Sequence, residues 1–183
     1  MRETPLSKRG GCHREPGGTT FGEKVRDAVQ GRHGYEVHPY ASLFGYSAAR
    51  ANLVRGIVIP RLQEGFNVGL DRYWYSTYAY QGAEGVSKPI IWLISLIATK
   101  ALKPDLVLHY DLLPEIGMTR KGKCPDADRY DIRELEFHRK VRRNYLQLKR
   151  MYSGIWRVVD ASQSIEDVYR DSLTILKQNG LVL

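Results

Sequence analysis

Residues Asp71-Arg72-Tyr73-Trp74-Tyr75-Ser76-Thr77-Tyr78-Ala79-Tyr80-Gln81-Gly82, DRYWYSTYAYQG, follow directly on the short apolar run Phe66-Asn67-Val68-Gly69-Leu70. An acid and a base stand where a strand is expected to end. Four tyrosines and one tryptophan then follow among serine, threonine and glutamine. In open α/β sheets, ligands gather at the carboxyl ends of the strands. The stretch therefore predicts a flat, partly polar aromatic wall beside a charged corner. An acid past a strand is otherwise a turn former or helix cap, and that plainer reading is preferred for Asp111 and Asp160. Trp74 and Tyr75 are read as packing.

Outward from this stretch, strand and helix alternate. Residues 1 to 20 are polar and glycine-rich, with little to pack. Phe21 to Gln30 reads as a short helix. Tyr40 to Gln63 reads as a longer one, with Leu43, Tyr46, Leu53 and Ile57 near one stripe and Pro60 breaking its end. Phe66 to Leu70 reads as a strand, Pro89 to Ala101 as a helix, and Leu106 to Tyr110 as a second strand, apolar as in a parallel sheet covered on both faces. Pro114 starts a helix where proline is best tolerated. A long helix is expected from about Asp131 to Met151, and a third strand over Trp156 to Val159. Ser164 with Asp167 resembles a capping box for the last helix. This alternation predicts a three-layer α/β fold with a parallel sheet.

The chain has 183 residues, 43% of them hydrophobic, which suits one globular domain. Lysine and arginine outnumber acids 28 to 20, giving a formal charge of +8. That balance suggests an anionic partner, and a phosphate-bearing small molecule serves as well as nucleic acid. The densest basic run, Arg139-Lys140 with Arg142-Arg143, shares its helix with acids, and Asp131, Glu134 and Glu136 count further against a nucleic-acid partner. Two cysteines, Cys12 and Cys124, make no disulfide framework, so a reducing cytoplasm is expected. The five histidines include no pair at i, i+4 spacing. Ile90 to Ala98 is far short of the ~20 residues of a membrane span, and no apolar signal region follows the N-terminus.

Several segments together resemble the thymidylate kinase family. They are HREPGGTTFGEKVR (residues 13–26), LFGYSAARANLVRGIVIPRL (43–62), DRYWYSTYAYQG (71–82), KPDLVLHYDLLPEIGMTR (103–120), and DRYD, FHRKVRRNYLQL and WRVVDAS in the family's order. The resemblance implies a P-loop nucleoside-monophosphate-kinase-like fold in a single domain over residues 1–183, with residues 121–130 as a lid-like loop. It implies transfer of the ATP γ-phosphate to dTMP in dTTP synthesis, with Mg2+. Tyr46 falls at the thymine-stacking position, where phenylalanine is commoner, and Arg50 at the group that bonds a base carbonyl. Arg14 and Arg72 match the arginines that hold the monophosphate, whose oxygens a guanidinium fork suits. Thr77 faces the base edge, Tyr80 crowds the sugar's second carbon, and Gln81 helps position the nucleotide. Asp71 and Glu15 are implied near magnesium, Asp71 through its waters. Lys121, Lys123 and Arg129 align with the lid over the ATP phosphates, with Arg120 at its entrance. The helices Tyr40–Gln63 and Pro89–Ala101 could supply a homodimer face.

One departure is large. Family members begin with an apolar strand and a phosphate loop ending in Gly-Lys-Ser/Thr, which cradles ATP. Lys8-Arg9-Gly10-Gly11 lacks that spacing. The chain as written is therefore expected to be an N-terminally shortened form of a complete kinase, without turnover of its own. The alternative is a non-catalytic nucleotide-binding protein that keeps only the acceptor pocket.

Overall fold

The computed structural model describes residues 11–31, 34–121 and 128–181, and among these four short strands, all parallel, organise the fold. Strands β1 (Cys12–Arg14) and β2 (Gly69–Asp71) form one pair, with Arg14 opposite Asp71. The Glu15 amide donates to the Asp71 carbonyl at 2.9 Å and prolongs that ladder by one residue. Strands β3 (Val107–Asp111) and β4 (Trp156–Asp160) form the second pair, in register from Val107 opposite Trp156 to Asp111 opposite Asp160. The parallel α/β class is as expected, although the described strands form two pairs instead of one sheet. Strand β1 was not foreseen, because a three-residue run with one histidine between polar neighbours has no readable period.

Helices α1 (Thr20–Gln30), α2 (Pro39–Leu53), α3 (Ile59–Gln63), α4 (Trp74–Ala83), α5 (Lys88–Thr99), α6 (Pro114–Lys121), α7 (Leu135–Met151) and α8 (Ile165–Gln178) fill the intervals. The expected break at Pro60 does not occur. A π-helical turn over Val54–Val58 joins α2 to α3, with the Ile59 amide bonded to the Val54 carbonyl. Proline lacks an amide proton and crowds the carbonyl four residues back, and the wider turn gives it room. Arg55, in that turn, donates to the carbonyls of Ala98 at 2.6 Å and Ile97 at 2.9 Å. Those acceptors lie at the end of α5, where helical carbonyls lack intrahelical partners. Strand β2 starts later than expected because Phe66 is tied to the turn that closes α3. Its amide bonds the Arg61 carbonyl at 3.0 Å, and the Arg61 guanidinium lies 5.2 Å from its ring centre.

Helix α4 carries the aromatic stretch, and nothing local dictates a helix there: its N-cap, Tyr73, offers no side-chain bond. Packing supplies the reason. Trp74 and Tyr75 are buried against Ile91, Leu148 and Trp156, as their packing assignment requires. Each such side chain contributes about 1.5–3 kcal/mol of transfer free energy. Helix α7 fixes the register of α4 through Asn144 Nδ2 to the Ala79 carbonyl (2.9 Å) and Tyr145 Oη to Ser76 Oγ (2.8 Å). Helix α7 itself begins at Leu135 because Asp128 Oδ1 takes the amides of Tyr130 and Asp131 at 2.8 and 3.1 Å. That local turn competes with helix. Ser164 caps α8, accepting the Asp167 amide at 3.2 Å and donating from Oγ to Asp167 Oδ2 at 2.7 Å. No helix among the described residues is long and apolar enough to cross a membrane.

Asp160 closes β4 as a turn former, accepting from the Ser162 amide at 2.8 Å. Asp111 takes two bonds from Arg142, both 2.8 Å, tying β3 to α7. The Arg142 hydrogen bonds hold its carboxyl below the ordinary carboxylate range. A carboxyl that titrates lower when folded than when unfolded stabilises the fold fully above its unfolded pKa of about 3.9. That contribution is lost as pH falls through the folded value. The stability gap between the parent and Asp111→Asn should therefore be constant from neutral pH down to about 5 and close progressively below about 4. Urea unfolding along that pH series measures it, and a gap that widens in acid would contradict the pairing.

Candidate active site

The loop after β1 turns sharply. Gly18 adopts φ +71°, and a Cβ there would press Leu53 at 3.1 Å. Thr19 then caps α1 by accepting the Gly22 amide at 2.9 Å, while Glu23 takes the Gly18 amide at 3.0 Å. This geometry sets Arg14 and Glu15 beside the end of β2. Arg14 Nε lies 3.9 Å from Asp71 Oδ2, both side chains about three-fifths exposed at 61% and 62%. Arg72 follows at φ +71°, an uncommon conformation for a residue with a Cβ. Its guanidinium lies 5.4 Å from the Tyr80 ring centre. Arg26, half-buried on α1, joins them. Burial first, and then the neighbouring guanidinium groups of Arg14 and Arg72, pull its pKa below the ordinary arginine value. Three cations gathered in this way favour an anion between them.

Beneath this corner the side chains are buried. Glu15 is 1% exposed and Arg50 3%, and they pair through Nε to Oε2 at 2.7 Å. Arg50 also donates from Nη2 to Thr77 Oγ1 at 3.1 Å. Burial pushes the Glu15 carboxyl up, against the opposing pull of Arg50. Tyr46 is buried, and its hydroxyl donates to Tyr130 Oη over a long 3.4 Å. Burial raises both phenols, so they are neutral at ordinary pH. Gln81 Nε2 donates to Tyr130 Oη at 2.8 Å, and Tyr80 meets the Tyr130 ring edge-on at 5.3 Å. Three buried polar atoms of these residues find no partner: Arg50 Nη1, a donor, and Glu15 Oε1 and Gln81 Oε1, both acceptors.

Arg14, Glu15, Tyr46, Arg50, Asp71, Arg72, Thr77, Tyr80 and Gln81 thus form one connected set. Glu15 takes a different part from the one expected of it: a carboxylate buried against Arg50 is not open to a magnesium ion, and it holds Arg50 in place. Arg129 also differs. Its guanidinium is tied to the Val37 carbonyl (3.1 Å), Ser42 Oγ (2.7 Å) and Tyr130 Oη (2.5 Å), with Glu84 Oε1 at 3.7 Å. Arg120 donates to the carbonyls of Ala161 and Ser162 at 2.7 and 3.1 Å, apart from the set. Lys123 and the side chain of Lys121, with most of the lid-like segment, lie outside the described residues. Sequence reading passed over Arg26, Glu84 and Tyr130. The i, i+3 spacing from Gln81 to Glu84, the C-cap of α4, was the available signal.

Parallel strands ending in Arg14 and Asp71, with helices carrying a buried polar and aromatic set beside them, define an α/β fold of the nucleotide-kinase type. A family model described as Thymidylate kinase matches residues 6–171. A protein named thymidylate kinase from Thermoanaerobacter sp. (strain X514) is 36% identical over 166 residues, covering 90% of this chain and 81% of the relative. One from Carboxydothermus hydrogenoformans is 40% identical over 157 residues, 85% and 76% of the two chains. One from Pseudoalteromonas translucida is 37% identical over 165 residues, 90% and 79%. The chain belongs to the thymidylate kinase family.

Proposed function

We propose that this chain binds dTMP in the described set and, as a dTMP kinase, passes the γ-phosphoryl group of ATP to its 5′-phosphate, supplying dTTP synthesis in the cytoplasm. The observation that carries this reading is that Arg50 Nη1 and Gln81 Oε1, like Glu15 Oε1, are buried without partners beneath a corner of three arginines. A thymine edge offers a carbonyl acceptor next to an imide N–H donor, which complements one free donor and one free acceptor. The Tyr46 ring supplies the stacking surface, with Thr77 at the base edge. Tyr80 lies where a ribose hydroxyl would crowd it, favouring deoxyribose. Arg14 and Arg72, with Arg26 behind them, would hold the monophosphate.

Phosphoryl transfer is chiefly positioning and charge neutralisation. Magnesium, when bound with ATP, neutralises phosphate oxygens. It commonly takes only one or two protein carboxylates, the rest of its shell being water and phosphate. Among the described residues no group of three or more His, Cys, Asp or Glu could hold a metal alone. The exposed Asp71 fits such a water-mediated role and Glu15 does not. Arg120 and Arg129 would need to leave their present partners to reach phosphates, so we assign them to lid closure and not to a preformed site. Lys121 and Lys123 keep the ATP-side role that the resemblance implies.

Calorimetric titration with dTMP, followed by an ADP-release assay with dTMP and ATP, tests the proposal. Binding with turnover supports it. Binding without turnover favours the non-catalytic acceptor-binding reading. Failure to bind dTMP ends both.

We further propose a homodimer across α2 and α5, whose contacting helices expose Phe44, Trp92, Leu93 and Ile97. Leu93→Arg should then convert a sedimenting dimer to monomer. A chain that sediments as a monomer at every concentration would exclude it.

A further inference from the structure

Gln81 can present either end of its amide to a ligand, and the surroundings decide which. Its nitrogen donates to Tyr130 Oη at 2.8 Å and to Glu84 Oε2 at 3.2 Å. Glu84 is itself enclosed, its side chain 4% exposed, with Arg129 Nη2 at 3.7 Å from its other oxygen. Arg129 also donates to Tyr130 Oη. The ends of this chain of contacts have fixed polarity: a guanidinium has no lone pair to offer, and a carboxylate has no proton to give. Turning the Gln81 amide over would set its oxygen against the Glu84 oxygens and leave Tyr130 Oη without one of its donors. The amide is therefore held with its nitrogen on Glu84 and Tyr130, and Oε1 is left as a buried, unpartnered acceptor.

We propose that Glu84, acting with Arg129 and Tyr130, is a positioning residue for base selection. It locks Gln81 with its oxygen outward, so that the pocket accepts a pyrimidine with an imide N–H and refuses cytosine. The inference rests on the dTMP-pocket reading above. Thymine and uracil place a donor N–H beside a carbonyl, matching Gln81 Oε1 and Arg50 Nη1. Cytosine reverses both, setting a bare ring nitrogen against Oε1 and an amino group against the guanidinium. A site with fixed polarity rejects such a reversal because its buried groups are left unpaired. An ion pair between Glu84 and Arg129 that served only to close the fold would have no reason to engage the Gln81 amide.

The test is titration of the full chain with dTMP and with dCMP, for the parent, Glu84→Gln, Tyr130→Phe, Gln81→Ala and the Glu84→Gln/Gln81→Ala double variant. The parent should bind dTMP at least about thirtyfold more tightly than dCMP. Glu84→Gln replaces an obligate acceptor by a group that can donate, so that ratio should fall about tenfold, with dCMP affinity rising. Tyr130→Phe, which keeps the ring, should lower the ratio about threefold and remains readable if the Glu84 variant unfolds. Adding Glu84→Gln to Gln81→Ala should not change the ratio further, since Glu84 acts through that amide. A Glu84→Gln or Tyr130→Phe protein with an unchanged ratio, or with both nucleotides weakened equally, overturns the proposal while leaving the pocket intact. A parent that binds neither nucleotide overturns the pocket, and this inference with it.

Discussion

Glu15→Ala should cost about 3–5 kcal/mol of stability, the range expected when one partner of a buried ion pair is removed. Glu15 and Arg50 are 1% and 3% exposed and meet at 2.7 Å, so the truncation strands a desolvated guanidinium whose Nη1 already lacks a partner. Net stabilities of about 5–15 kcal/mol leave little margin for such a loss. The contrast with the neighbouring pair is instructive. Arg14 and Asp71 stand 3.9 Å apart and largely in water, so Asp71→Ala should cost less than about 1 kcal/mol. Replacing both buried partners, as Glu15→Gln with Arg50→Met, removes the stranded charge and should recover at least half of the loss. Denaturant unfolding of the four proteins measures this. A Glu15→Ala cost below about 1 kcal/mol would mean that the pair is not desolvated as described.

Arg72→Gly should move stability and binding in opposite directions. Arg72 holds φ +71°, where a Cβ is disfavoured and glycine is not. Left-handed backbone costs an ordinary residue about 1–2 kcal/mol. Part of that relief is offset by the greater freedom glycine gives the unfolded chain, so a net gain of about 0.5 kcal/mol is expected. The same change removes a guanidinium beside the Arg14–Arg26 corner. Loss of a charge-assisted phosphate contact of about 2–5 kcal/mol corresponds to at least a thirtyfold weaker affinity for dTMP. Paired melting curves and titrations read both effects. Arg72→Ala separates them, since it loses the charge but keeps the strain. A protein stabilised by Arg72→Gly that still binds dTMP at full strength would remove Arg72 from the phosphate-holding role. Strain of this kind, kept where a simpler residue would fold better, is characteristic of positions retained for a ligand.

The parts of the fold that could be read from the residues were those decided locally. Ser164 with Asp167, Pro114 at a helix start, and the apolar Val107–Leu108 of β3 each carry their signal within a few positions. The parts that could not be read depend on distant partners. Trp74–Ala83 is helical because α7 and the aromatic core hold it there, not because its residues favour helix. Pro60 fails to end its helix because of a turn that opens just before it. Within the site, Arg14, Arg50, Arg72 and Tyr80 could be singled out only through the family resemblance, from separate motifs, and their roles are those proposed above. The pairing of Glu15 with Arg50, and of Arg129 with Glu84, was not legible, since any carboxylate could have met any guanidinium until the chain was folded. That choice decides which side chains face a ligand and which serve as props.

The π-helical turn at Val54–Val58 has one more consequence. It holds a surplus residue, and one residue of α-helix corresponds to about 100° of rotation. Ile59–Gln63 is therefore swung around the axis relative to the direction that an unbroken coil from Tyr46 and Arg50 would have given it. The molecule can carry an inserted residue between Tyr46–Arg50 and Ile59–Gln63 while both remain helical, the change in phase being confined to a single loosened winding.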